Sequence, residues 1–325
     1  INPNNKNLYE KVRSRINKDV DLLSGIEAML SDQIKQLARE VEVDVVRITH
    51  ADPFEGYPPP NSPRRDPHLT LREATSLVIV GVYIGGFSLP NWDNPTVGRI
   101  SRLFLSGFFN DVVKPLEPIQ SFLHDQGFNV AICDGFQSDG SILPLKLAAV
   151  RAGIGWQAKN TLMISREYGS FLALGGLVTD APLEKDSGME KDRCGICLTC
   201  QEACPTGALD EPYRLKRELC LSHLYQQDAL PQEFHKTLGN KIIECEICQD
   251  VCPWNKRHLK NPLTTVRNNL FRERVESLVD FFKLSNLMKL SEMDYMKFMH
   301  PYRTAIPYRI FRRNVVVALE NSKLA

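Results

Sequence analysis

Eight of the nine cysteines in this 325-residue chain fall between Cys194 and Cys252. Cys194, Cys197, Cys200 and Cys204, with Pro205 after the last, follow the pattern C-x2-C-x2-C-x3-C-P. Three thiolates that close together hold one 4Fe-4S cubane, and the fourth, displaced beyond them, ligates a second cluster. Cys245, Cys248 and Cys252-Pro253 repeat the pattern, except that Ile242 stands where the first cysteine of the repeat would fall. Cys220, alone between the two runs, is the substitute. Spacing thus assigns Cys194, Cys197, Cys200 and Cys252 to one cluster and Cys204, Cys220, Cys245 and Cys248 to the other.

Structural zinc and disulfides are the rival readings. Zinc sites usually present two separated C-x2-C pairs, whereas here three cysteines occupy seven residues and a fourth precedes proline. Close thiols in a chain without a secretory signal are more often metal ligands than bridges. The ninth cysteine, Cys133, reads as a small buried apolar residue.

The elements that must position these thiols alternate in type. Apolar residues at helical spacing over residues 8–41 predict two amphipathic helices interrupted near Gly25. β-branched runs at 43–48 and 77–84 predict buried strands. Between them, five prolines in residues 58–67 fit neither element and predict an extended loop. Its Arg64 and Arg65 could meet an anionic ligand, or be two solvated loop arginines. Residues 99–127 read as a helix closed by Gly127, 129–133 as a short strand, 143–151 as a helix ended by Gly153, and 170–178 as a strand interrupted at Gly175-Gly176. Such alternation predicts an α/β or α+β layered domain ahead of the cysteine segment. Gly153-Ile154-Gly155-Trp156-Gln157-Ala158 matches G-x-G-x-x-A but follows a predicted helix rather than a strand, so the dinucleotide reading fails on context. The seven histidines form no close cluster.

Composition narrows the class. A 43% hydrophobic content supports a sizeable core, and a net charge of +1 gives no global basic field. No apolar run is long enough to cross a bilayer and the first residues carry no apolar signal core, so a cytoplasmic protein without a membrane role is expected. Charge is uneven, however. Residues 256–325 hold fourteen Lys plus Arg against six Asp plus Glu. That basic stretch, with apolar residues at helical spacing and Arg309, Arg312 and Arg313 clustered, offers phosphate contacts to a polyanion or simply a solvated face.

Gly153-Ile154-Gly155-Trp156 with Lys159-Asn160-Thr161, then Glu167-Tyr168-Gly169-Ser170-Phe171, the two cysteine runs with the interposed Cys220, and the ending Cys252-Pro253-Trp254-Asn255 together resemble epoxyqueuosine reductases. The resemblance implies an α+β fold class: a nitroreductase-like α/β cobalamin-binding domain at 1–185, a bacterial ferredoxin-type domain with two 4Fe-4S clusters at 186–258, and a short basic helical segment at 259–325 like the start of HEAT-like repeats. It implies base-off cobalamin, tRNA carrying epoxyqueuosine as substrate, and a low-potential donor such as flavodoxin or ferredoxin. The family's proton-donating aspartate lies thirteen residues before A-G-x-G-W, which falls on Asp139. Arg64, Asp139, Lys159, Asn160, Met163, Ser170 and Ser222 are the implied corrin contacts. This chain departs from the pattern at Gly107-Phe108-Phe109-Asn110-Asp111, where the family carries G-R-D-Y-H, and at Ala158, where it has glycine. A paralogue reducing another substrate, for example by dehalogenation, and an electron-transfer module without catalysis are the alternatives.

Overall fold

A computed structural model of the chain describes residues 20–55, 66–107, 112–133, 143–186, 188–299 and 306–324. By compactness the chain forms two units, each discontinuous in sequence: Ile1–Val82 with Asp111–Gln157 and Leu172–Asp192, and Tyr83–Asn110 with Ala158–Phe171 and Arg193–Ala325.

The first unit is built on four strands, β1 (Val45–His50), β2 (Ser76–Tyr83), β3 (Val130–Cys133) and β4 (Leu172–Thr179), in the order β1-β2-β4-β3. β1 runs antiparallel to β2 with Val46 opposite Val80, and β3 antiparallel to β4 with Ile132 opposite Leu177. Every residue of β2 is buried. A near-continuous apolar run is what a strand covered on both faces requires, and helices supply the cover. An added Cβ at Gly175 would meet Leu116 of helix α2 (Leu116–Asp125), whereas one at Gly176 would meet Leu145 of α3 (Leu145–Arg151). Successive strand residues face opposite sides, so α2 and α3 lie on opposite faces of the sheet. Helix α1 (Val20–Glu40) packs against α2 and β1, with Leu30, Ile34 and Ala38 inward at i, i+4 and i+8.

Three sequence expectations change here. Helix α1 runs unbroken through Gly25, which is exposed, because one glycine costs a helix only about 1 kcal/mol and the buried stripe outweighs it. β4 is continuous through Gly175 and Gly176, whose missing side chains admit the two helices rather than interrupt the strand. The helix expected over 99–127 is instead a short strand at Arg99–Ile100, a short helix at Arg102–Leu105 started by the Ser101 side chain, and α2, which begins after Pro115. Gly153, with φ 79°, closes α3 by donating to Val150, a helix-ending role that agrees with rejecting a dinucleotide fingerprint. Cys133 is buried, as expected.

The second unit holds the cysteine segment and the C-terminal helices Val266–Phe281, Leu284–Leu287, Glu292–Met299 and Tyr308–Ser322. The last of these buries Phe311, Asn314, Val315 and Ala318 and packs on strand Lys241–Ile243 and helix His235–Leu238. Arg99–Ile100 pairs in parallel with the same strand. Where the Tyr83–Asn110 segment enters this unit, the Tyr83 hydroxyl meets His258 Nδ1 at 2.9 Å. Arg257 Nε lies at hydrogen-bond distance, 3.1 Å, from His258 Nε2. Burial and then the Arg257 charge push His258 down to about 4. No helix among the described residues is long and apolar enough to cross a membrane.

Two glycines separate propensity from space. Gly25→Ala should raise stability by roughly 0.5–1 kcal/mol, since a Cβ there meets nothing within 4 Å. Gly86→Ala should lower it by about 1–3 kcal/mol, because its Cβ would lie 2.3 Å from the buried Asn268 amide, which donates to Leu263 O. Thermal unfolding of both variants checks the opposite signs.

Candidate iron–sulfur site

All eight clustered cysteines lie in the second unit and none is in a disulfide. Cys194, Cys197, Cys200 and Cys252 line one cavity of about 170 Å³ together with Lys159 and Asn160. Cys252, from the second run, thus lies with the first three thiols of the first run. The other four come together around Cys248. Burial pushes that thiol strongly up, and the charges of Cys245, Cys220, Cys200 and Cys204 push it further. Cys245 rises to about 11 by burial, with Cys220 and Cys204 adding to it. Cys200 appears among the groups acting on Cys248, which makes the two sets neighbours. Cys197 is shifted down, by its hydrogen bond with Thr199 at 3.3 Å, with the Lys159 charge helping.

Eight partly or fully buried soft donors in two sets of four suit 4Fe-4S cubanes. Thiols crowded this way hold little negative charge without a cation among them, and metal binding releases their protons.

Adjacent residues tether both cysteine loops. Lys159, 8% exposed, donates to Gly195 O at 2.6 Å and Cys197 O at 3.0 Å. Asn160 donates to Cys248 O at 3.5 Å and accepts from Leu162 N. A third fixture follows from Cys-Pro-Trp-Asn. Asn255, fully buried, accepts from Ser170 N at 2.8 Å and donates to Ser170 Oγ and Gln249 O, while Ser170 Oγ donates to Gln249 Oε1. Gly169 has φ +60°, and a Cβ there would sit 2.1 Å from Asn255 Oδ1. Gly169 and Ser170 are therefore matched to Asn255, three residues after Cys252.

The second run carries its own carboxylates, Glu246 and Asp250. Arg102, 3% exposed, donates to Glu246 at 2.7 Å and Asp250 at 3.0 Å, and its backbone N–H donates to Glu246 at 2.9 Å. Arg99 pairs with Asp250. Both guanidinium groups lie over Trp92, at 4.7 and 5.2 Å, and Arg102 also lies 4.7 Å from the Phe171 ring. Burial raises Glu246 even beside Arg102, so breaking either side leaves an uncompensated buried charge. Sequence reasoning missed Arg99, Arg102 and Asn255 as site residues. A signal was present: carboxylates inside a buried cysteine run demand cations.

Of the implied corrin contacts, Lys159, Asn160 and Met163 are buried, Ser170 is half-buried and bound to Asn255, and Ser222 is half-buried in helix Leu221–Leu224 directly after Cys220. Arg64, Asp139 and residues 108–111 lie outside the described residues. The clustered arginines are engaged within the protein: Arg309 with Asp228 at 2.6 Å, Arg312 with Met288 O, and Arg313 with the carbonyls of Tyr225, Gln227 and Asp228.

Lys159→Met, similar in length but without donors, should reduce iron retained by the first thiol set, leaving roughly four iron of about eight. Cys220→Ala should remove the other four. Iron and sulfide analysis of the two variants checks this, and equal loss of both clusters in each would contradict separate sets.

Residues 193–255 match the family described as a 4Fe-4S double cluster binding domain. The epoxyqueuosine reductase of Bacillus subtilis (strain 168) is 30% identical over 287 residues, covering 75% of this chain and 73% of that protein. The one from Escherichia coli (strain K12) is 33% identical over 240 residues, 70% of this chain but 59% of its own length. A crystal structure of epoxyqueuosine reductase with an epoxyqueuosine-modified tRNA-Tyr stem loop superposes with TM-score 0.74 at 27% identity, over 91% of this chain and 82% of that one. A catabolic reductive dehalogenase, at 15% identity and TM-score 0.50, shares the fold alone. With its α/β sheet unit, double-cluster cysteine segment and C-terminal helices, the chain belongs to the epoxyqueuosine reductase family, a family of oxidoreductases.

Proposed function

We propose that the protein reduces epoxyqueuosine in tRNA to queuosine, passing electrons through two 4Fe-4S clusters to a bound base-off cobalamin. The observation that carries this reading is the convergence of two neighbouring thiol sets in a chain 30% identical to an epoxyqueuosine reductase over three quarters of its length. Reductive removal of an epoxide oxygen consumes electrons and protons, and neighbouring clusters supply a path for the former.

Within that reading, Cys194, Cys197, Cys200 and Cys252 hold one cluster, and Cys204, Cys220, Cys245 and Cys248 the other. Cobalamin, when bound, supplies the metal centre at which the epoxide is reduced. The chain's own residues fit such a neighbour in one respect: two of the three Lys159 N–H groups hold the first cysteine loop, and the third remains for an amide or phosphate oxygen. Asn160, Met163, Ser170, Ser222 and Arg64 are the other proposed contacts. Asp139 is the proposed proton donor. A carboxyl group near a corrin and shielded from water has its pKa raised and keeps the proton it must deliver. The substrate is tRNA, a low-potential flavodoxin or ferredoxin is the proposed donor, and the setting is the cytoplasm.

The test is turnover of epoxyqueuosine-containing tRNA with added cobalamin and a low-potential reductant. Queuosine should form, and Asp139→Asn should lose roughly 10²- to 10⁴-fold in rate with iron and cobalt content unchanged. No product under conditions in which a known reductase turns over would overturn the substrate assignment, and full activity of the Asn variant would remove Asp139 from the reaction.

A further inference from the structure

The segment that brings Cys220 to its set is held by the C-terminal helix. Asn314, fully buried, donates through one amide nitrogen to Tyr225 O at 3.1 Å and Ile242 O at 3.0 Å. Arg313 adds a 3.0 Å bond to Tyr225 O and orients Asn314 by donating to its Oδ1. One side chain therefore ties the backbone five residues after Cys220 to the backbone three residues before Cys245. Around this tie Leu221, Leu224, Tyr225, Leu238 and Val317 form a buried apolar cluster, and Cys245 packs against it.

Tyr225 is the anomaly in that cluster. Its side chain is fully buried, yet its hydroxyl finds no hydrogen-bond partner among the described residues. An unsatisfied buried hydroxyl costs about 1–3 kcal/mol, and a phenylalanine would fill the same volume without that cost. Buried polar groups that persist usually have a partner that assembles with them. Cys245, a second-set thiol, packs against the apolar cluster that holds this hydroxyl. A thiolate sulfur has no proton to give, so toward it a phenol hydroxyl is the donor.

We propose that the Tyr225 hydroxyl donates a hydrogen bond to the Cys245 sulfur of the assembled second cluster and thereby raises that cluster's reduction potential. The reduced cluster carries one more negative charge than the oxidised one, so a donor aimed at a ligating sulfur stabilises the reduced form preferentially; hydrogen bonds to sulfur are an established lever on cluster potential. Tyr225 is then a positioning and tuning residue that touches the electron path, held in register by Asn314. The assignment rests on the protein holding two clusters, a point that iron content reports separately from potential.

Potentiometric titration of anaerobically purified Tyr225→Phe, followed by EPR, tests it. The variant should keep about eight iron per chain, one of its two midpoint potentials should move to a more negative value, and the other should stay. In the unmodified protein, an exchangeable proton coupled to a reduced cluster should be visible by ENDOR and absent from the Phe variant. Unchanged potentials, or a Phe variant that loses a cluster outright and so shows a role in assembly, would overturn the proposal. Fewer than about eight iron in the unmodified protein would instead sink the two-cluster reading beneath it.

Discussion

Everything in the second unit answers to one constraint: eight sulfur donors have to be withdrawn from water and crowded within reach of one another. Burial first, and the neighbouring thiols after it, raise the proton affinity of Cys245 and, more strongly, Cys248. Apart from an iron cluster, the chain opposes this with nearby lysines, Lys159 by Cys197 and Lys241 by Cys245, and with rigidity. Lys159 and Asn160, neighbours in sequence, hold one loop from each cysteine run. Asn255 locks the end of the second run to Ser170. Asn314 ties the Cys220 segment to the strand leading into Cys245. Each tether is a side-chain donor on a backbone carbonyl, or an acceptor on an N–H, so the loops are fixed without using a thiol.

The Arg99 and Arg102 pairs with Glu246 and Asp250 act in the same sense but at different cost. Desolvating four charges is expensive, and good geometry only offsets it. What the network contributes is uniqueness: Arg102 satisfies two carboxylates on one turn of the second run while its own backbone N–H is capped by Glu246. A slipped register of Cys245 to Cys252 would strand those charges. The aromatic faces of Trp92 and Phe171 complete the surroundings of the arginines.

Much of this was legible from residue types alone. Cysteine spacing marked the double-cluster segment that the family match covers, and β-branched runs located the central strands. What stayed hidden has a common cause. Gly25 and Gly175-Gly176 were read by local propensity, and tertiary packing overrode it: an exposed helix face tolerates one glycine, and the strand uses two to admit helices. The 99–127 stretch has helical apolar spacing throughout, but Pro115 and the pairing of Arg99–Ile100 with Lys241–Ile243 divide it. Residues 83–110 group with the cysteine segment through partners more than a hundred residues away, such as Arg102 with Glu246 and Tyr83 with His258, and residues 158–171 through nearer ones, such as Lys159 with Gly195 and Asn160 with Cys248, and no local pattern announces such partners. The basic tail was legible as charge, yet Arg313 turned out to hold carbonyls at the end of the Cys220 helix, a role that composition cannot distinguish from phosphate binding.

Iron and acid-labile sulfide in the anaerobically purified protein bear most directly on the claim that two cubanes occupy these sets. About eight of each per chain is the expected result, with the EPR signal of the fully reduced protein broadened by coupling between neighbouring clusters. A single zinc with no labile sulfide, or iron without sulfide, would contradict the account.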